Sequence, residues 1–164
     1  MRITFRPAEE SDIPAMAKLR AEEWGDKTFW TDRITRYMRG EHSPQQAFPE
    51  RGIFVGVDQE TMVGFVAGHR TRRFDCDGEL QWINVAPRRR GQGIAEMLMA
   101  RIAEWFCEQD AKRICVNVAP RNTTARRLYA RCGARPLSPQ WMVWDDIRLM
   151  KVGEAKGRRS KTNY

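Results

Sequence analysis

Apolar residues recur along this chain in two rhythms, every second position and every third to fourth, and their succession predicts its elements. "RITFRPA" alternates as a short opening strand. Ser11 is placed to cap a helix whose apolar face is Ile13, Met16, Ala17 and Leu19, running to about Arg20. A second helix follows Gly25, with Phe29, Trp30, Ile34, Tyr37 and Met38 at helical spacing, and the Pro, Gly and Ser content of "GEHSPQQAFPERG" predicts a loop after it. "IFVGV" and "MVGFVAGHR" flank "DQET" as a hairpin, and "ELQWINV" is a third long strand. From Ile94 the spacing of Leu98, Ile102, Trp105 and Phe106 predicts an amphipathic helix that closes between Gln109 and Lys112. The strand "RICVNVA" follows, then a helix in "PRNTTARRLYARCGA" that stops at Gly133, then short strands in "RPL" and "QWMVW".

The resulting order, β, α, α, β, β, β, α, β, α, β, β, implies a single α/β domain around one mixed sheet. Antiparallel hairpins come early and a strand-helix-strand crossover late. At 164 residues one domain is expected, over 1–152. The charged stretch 153–164, poor in large apolar residues, is expected to be a disordered basic tail.

Composition narrows the function classes. No apolar run approaches the ~18 residues of a membrane span, and "MRITFRPAEE" lacks the apolar core of an export signal, so a cytoplasmic setting and no membrane partner are expected. Cys76, Cys107, Cys115 and Cys132 form no CxxC pair, with only His42 and His69 to supplement them, so neither a metal site nor a disulfide framework is expected. The net charge of +8 suits an anionic partner, either RNA or a phosphorylated cofactor.

The stretch "VAPRRRGQGIAEMLM", 85–99, favours the cofactor. A strand end, Pro87, then Arg88, Arg89 and Arg90 precede Gly91, Gln92 and Gly93, and a helix begins at Ile94. A helix N-terminus offers unpaired N–H groups and a partial positive charge. Glycines let anionic oxygens approach and let successive amides point into one concavity. A Walker loop is excluded because no Gly-Lys-Ser/Thr is present, and a dinucleotide fingerprint because Glu96 stands where its third glycine belongs. On its own, the stretch equally suits a tight turn flanked by solvated arginines.

A second motif decides between these. Arg90-Gly91-Gln92-Gly93-Ile94-Ala95 resembles the acetyl-CoA signature Gln/Arg-x-x-Gly-x-Gly/Ala of the GNAT superfamily of N-acetyltransferases, which can also be read from Arg88. Asn122, Ala125, Tyr129 and Gly133 are similar to the family's Asn-x-x-Ala-x-x-x-Tyr-x-x-x-Gly helix, Asn and Tyr falling on one helical face about 10 Å apart. The resemblance implies a GNAT-like fold with acetyl-CoA as co-substrate. Amides across Gly91 to Ala95 would hold the pyrophosphate, Arg88 and Arg89 the outer phosphates, and main-chain groups of Ile83, Asn84 and Val85 the pantetheine arm, with Asn122 and Tyr129 lining the cofactor.

Acetyl transfer to an amine needs a proton acceptor for the ammonium, a donor for the oxyanion and an acid for the thiolate. The resemblance makes Tyr129 the acid and a backbone N–H of Ile83–Val85 the oxyanion donor. Asn117 stands where some members carry a Glu, so the base lies elsewhere or is not needed; the resemblance makes Glu79, a family placement that works through ordered water, the first candidate, with Asp75 and Asp77 as weaker rivals. The acceptor, a small-molecule or peptide amine, would meet Glu22, Glu23, Trp24, Asp26, Phe29, Trp30, Tyr37, Trp141 and Trp144, most of which also suit a core. Two other readings remain: a CoA-binding module without turnover, and an RNA- or ribosome-associated protein, disfavoured by the absence of RNP-type aromatic strands or a GxxG loop. A homodimer is left open.

Overall fold

In a computed structural model that describes residues 2–150, the alternating runs pair into one seven-stranded sheet. The expected tail at 153–164 lies outside the described residues. The strands are β1 (Ile3–Pro7), β2 (Ala47–Asp58), β3 (Thr61–Thr71), β4 (Gly78–Val85), β5 (Ile114–Asn117), β6 (Arg135–Ser138) and β7 (Trp141–Trp144), in spatial order β1-β2-β3-β4-β5-β7-β6. Every neighbouring pair is antiparallel except β4 and β5, which are joined through α3 (Ile94–Glu108). The other helices are α1 (Ile13–Glu23), α2 (Lys27–Met38) and α4 (Thr123–Arg131). Both the α/β class and the element order are those expected from the sequence.

The sheet is covered on both faces. Leu98, Ile102 and Phe106 of α3 are almost fully buried against Val66, Leu80 and Ile114, with Leu128 and Tyr129 of α4 in the same cluster. Each such aliphatic or aromatic side chain contributes roughly 1.5–3 kcal/mol by leaving water. On the opposite face Met16 of α1 and Trp30, Ile34 and Tyr37 of α2 pack on Val55, Phe65, Ala67 and Trp82. None of the described helices is long and apolar enough to cross a membrane. Cys76, Cys115 and Cys132 are buried and Cys107 is exposed, all as free thiols.

Local departures have local causes. Ser11 does not cap α1: a 3₁₀ turn, Glu10–Asp12, leads into it, and the Asp12 carboxylate accepts from the Glu9 N–H at 2.7 Å and from both Arg6 terminal nitrogens at 2.8 and 2.9 Å. The expected loop at 40–52 ends early, because β2 starts at Ala47 along the edge offered by β3. Its Pro49 falls in the irregularity between Ala47 and Arg51, where the missing N–H is not needed.

Two irregularities in β4 shape everything that follows. Gly68 pairs with Leu80 but Ala67 with Trp82, so Gln81 is an inserted bulge residue. The bulge resets the alternation, which lets Leu80 and Ile83 pack on the α3 face while Trp82 points to α1 and α2. Pairing to β5 covers only Gly78, Glu79 and Leu80. Beyond Leu80 the two parallel strands part, and the edge of β4 lies open.

Candidate active site

That parting is one wall of a cleft of about 1420 Å³. Its far wall is the turn before α3. Gly91 (φ 77°) and Gly93 (φ 82°) both hold left-handed backbone, the conformation in which L-residues are strained by roughly 1–2 kcal/mol. A Cβ on Gly91 would meet nothing within 4 Å, so conformation and open approach, not crowding, explain that glycine. The first helical bond runs from the Met97 N–H to the Gly93 carbonyl at 3.2 Å. From Gly91 to Glu96 no N–H has a main-chain partner among the described residues. A run of free amides at a helix N-terminus is an anion receptor.

The predicted arginines do not serve alike. Arg89 lines the cleft, paired with Asp58 at 2.9 Å and held by the Gln92 side chain at 3.2 Å. Arg90 lines it too, bound to Glu23 and 3.4 Å from the Val85 carbonyl. Arg88 is exposed and outside the cleft, and Gln92 is also not on its wall, contributing through Arg89. Three arginines not singled out from the sequence, Arg121, Arg127 and Arg131, also line the cleft, and Arg131 reaches the α3 N-terminus through Glu96 at 3.0 Å. Arg127 and Arg131 stand one helical turn apart in α4, a spacing readable in the sequence but submerged there among other charges.

On β4, Ile83 and Val85 face the opening with their main chain. The Ala86 N–H reaches β3 at the Val63 carbonyl, 2.8 Å, so by alternation the Val85 and Ile83 N–H groups point away from β3 toward the free edge. The same alternation turns the Asn84 main chain to β3, leaving Asn84 to act through its buried side chain, which accepts from Arg20 Nη1 at 3.0 Å.

Asn122 and Tyr129 lie at the two ends of α4, both on the cleft wall. Asn122 is the helix N-cap, its Oδ1 accepting from the Ala125 N–H at 3.1 Å. Tyr129 is 5% exposed and packs edge-on against Trp144, with ring centroids 5.6 Å apart. Burial raises its pKa above the ordinary 10.0, with the charge of Arg20 opposing the shift, so the hydroxyl carries its proton at neutral pH. That hydroxyl makes no hydrogen bond to another described residue.

Of the three acids considered as base, only Glu79 reaches the cleft. It is 5% exposed, with Arg73 Nε 3.1 Å and His69 Nε2 3.7 Å from Oε1. His69 is fully buried, and its Nδ1 is hydrogen-bonded to the Tyr37 hydroxyl at 2.8 Å. Asp77 instead accepts the Lys112 and Arg113 N–H groups, each at 2.9 Å, and Asp75 sits in an exposed left-handed turn. Asn117 lines the cleft.

Among the residues proposed for the acceptor, Glu23, Trp24 and Trp141 line the cleft. Tyr37 and Trp144 are core, Trp30 is buried edge-on against Trp82, and Asp26 caps α2 through the Thr28 N–H at 2.7 Å. Glu22 and Phe29 are exposed away from it. Sequence reading missed Arg20, Arg73 and Gln81.

A family model described as the acetyltransferase (GNAT) family matches residues 14–134. Among solved structures, Ard1 from Thermoplasma volcanium is 18% identical with a TM-score of 0.70, covering 88% of this chain and 97% of that one. The PaiA N-acetyltransferase from Thermoplasma acidophilum, in complex with coenzyme A, is 13% identical with a TM-score of 0.66, covering 87% and 98%. The spermidine N-acetyltransferase SpeG from Vibrio cholerae is 20% identical with a TM-score of 0.64, covering 87% and 92%. At these identities the likeness is one of fold.

Proposed function

The chain belongs to the GNAT family of acetyl-CoA-dependent N-acetyltransferases, and we propose that it transfers the acetyl group to a primary amine by direct attack within a ternary complex. The observation that carries this reading is the run of unpaired amides from Gly91 to Glu96, opening on the same cleft as the free edge of β4 and Tyr129. The amides suit the diphosphate, with Arg89 and Arg90 beside them. The Ile83 and Val85 main chain suits an extended amide-bearing arm, in the manner of an added strand. An arm laid along that edge from the turn at Gly91 brings its far end toward Gln81 and Glu79.

Each chemical requirement then has a group at hand. A lysine-like amine, with a pKa near ~10.4, arrives charged at neutral pH, and Glu79 is the carboxylate that takes its proton, directly or through water. A free N–H of the open β4 edge, on Ile83 or Val85, receives the negative charge that develops on the carbonyl oxygen. Tyr129, held protonated by burial, gives its proton to the departing thiolate.

Calorimetric titration with acetyl-CoA, followed by free-thiol detection across a panel of amines, tests the proposal. Saturable binding with amine-dependent thiol release is expected. Binding without release on any amine would leave a cofactor-binding module, and no saturable binding in a folded protein would overturn the reading altogether.

A further inference from the structure

One cation of the cleft is used neither by the phosphate end nor by the transfer chemistry. Arg20, near the end of α1, lies with its guanidinium carbon 4.4 Å from the Trp30 ring centroid and 5.8 Å from that of Trp82. Its Nη1 donates to Asn84 Oδ1, and its Nε is buried with no hydrogen-bond partner. Among the described residues no carboxylate stands within 4.0 Å of it; Glu23, one turn on, binds Arg90 instead. Burial lowers the Arg20 pKa to about 10, which leaves it charged at neutral pH. A largely desolvated cation whose one nearby acid, Glu23, is engaged by another arginine is an expensive arrangement.

Its position says what would relieve that cost. Trp82, Asn84 and Glu79 project from β4 toward α1 and α2, so Arg20 shares a wall with the residue read as the base. The acids of the cleft are already matched: Glu23 by Arg90, Glu79 by Arg73 at 3.1 Å and Glu96 by Arg131 at 3.0 Å. A polycationic acceptor would find no free carboxylate there and would meet the Arg20 charge. A guanidinium held over the Trp30 ring still has N–H groups to donate, and its planar fork is the geometry that a carboxylate accepts.

We infer that the acceptor carries a carboxylate, as an amino acid or similarly small amino carboxylate, and that this anion seats on Arg20 where it meets the cleft beside Trp82. The inference rests on the acetyl-transfer reading and adds the acceptor's charge to it.

The test compares glycine through 6-aminohexanoate with their carboxamides and with linear diamines, by thiol release at saturating acetyl-CoA. The same amino carboxylates are titrated calorimetrically onto the coenzyme A-saturated protein. Carboxylates are expected to exceed their amides in kcat/KM by roughly 10- to 100-fold, the worth of a charge-assisted hydrogen bond. Arg20→Met should bring that ratio close to one without changing acetyl-CoA affinity, and Arg20→Lys, which keeps charge but not the planar fork, should retain part of it. Wild-type protein that prefers diamines or amides, or that binds no amino carboxylate, overturns the inference while leaving acetyl transfer standing. So does a preference that survives in Arg20→Met, or a variant that loses acetyl-CoA affinity instead. Wild-type protein that fails to bind acetyl-CoA removes the parent reading, and this one with it.

Discussion

Gly93→Asp separates the folding of the turn from its binding. Gly93 sits at φ 82°, so any side chain there costs about 1–2 kcal/mol in left-handed strain. A carboxylate at a helix N-terminus returns roughly 0.3–1 kcal/mol through the dipole. The net loss of stability is thus small, about 0–2 kcal/mol. Binding should respond differently, because the new charge stands among the amides meant for a diphosphate. At a separation of about 5 Å each like charge costs roughly 1 kcal/mol in a water-like medium and about 3 kcal/mol at an effective dielectric constant near 20. Two phosphate charges give about 2–6 kcal/mol, and screening by Arg89 and Arg90 favours the lower end, roughly a 30-fold rise in Kd. Isothermal titration with acetyl-CoA, beside thermal unfolding of the same samples, measures both. Gly93→Ala, which adds strain but no charge, should weaken binding only a few-fold. Added salt should narrow the Gly93→Asp deficit. A folded Gly93→Asp protein with wild-type affinity would refute the phosphate assignment.

Tyr129→Phe should lower turnover by roughly 10²-fold with acetyl-CoA affinity nearly unchanged, since the lost hydroxyl acts on the leaving group; unaltered kcat in steady-state assays would transfer the acid role elsewhere. Glu79→Gln should cut kcat/KM by about 10²-fold or more near neutral pH. The deficit should shrink as pH rises toward the amine pKa, and a pH-independent deficit would point to a structural role for Glu79. Asp12→Asn removes the charge and one of the two acceptor oxygens that Arg6 and the Glu9 N–H share, costing roughly 1–3 kcal/mol at pH 7. Arg6 holds the Asp12 pKa below its ordinary 3.8, so that stability is present above about pH 4 and lost as pH falls below it. Denaturant melts at pH 7 and pH 3 should therefore show the gap between wild type and variant closing in acid, and an equal gap at both would contradict the assignment.

The legible parts of this molecule are those whose cause is local. Element order follows from apolar spacing, and the turn at Gly91 and Gly93 from two residues that tolerate positive φ. Tyr129 and Asn122 share a helical face by arithmetic alone. What stayed hidden depends on partners distant in sequence. Gln81 carries no bulge signal of its own, because the bulge is a property of its register against Gly68 and Ala67. Arg20 reads as the solvated end of an amphipathic helix until Trp30 and Trp82 close over it. Ser11 has no capping role because a 3₁₀ turn puts Asp12 at the N-cap position of α1, and the Asp12 carboxylate is turned back to the Glu9 N–H and to Arg6 of the preceding strand. Among nine acceptor candidates, aromatic character could not distinguish Trp141 on the cleft wall from Trp144 beneath it, since both lie in β7 and only the sheet's position decides which is covered.

The bulge and the parted strands act together. Pairing with β5 ends at Leu80, and Gln81 is the next residue, so the main chain is re-aimed where it loses its second neighbour. A continued parallel ladder would have consumed the N–H groups of Ile83 and Val85 and sealed the passage between Arg20 and Tyr129. A parting without the bulge would have put Trp82 and Asn84 on the face occupied by α3, away from Arg20. With both, one short strand supplies unpaired main chain to its edge, a buried carboxylate before the bulge, and after it an indole and an amide that hold a guanidinium. The cleft therefore stands where the sheet stops being continuous, and α3 and α4 carry their contributions, the free amides and the Tyr129 hydroxyl, to that interruption.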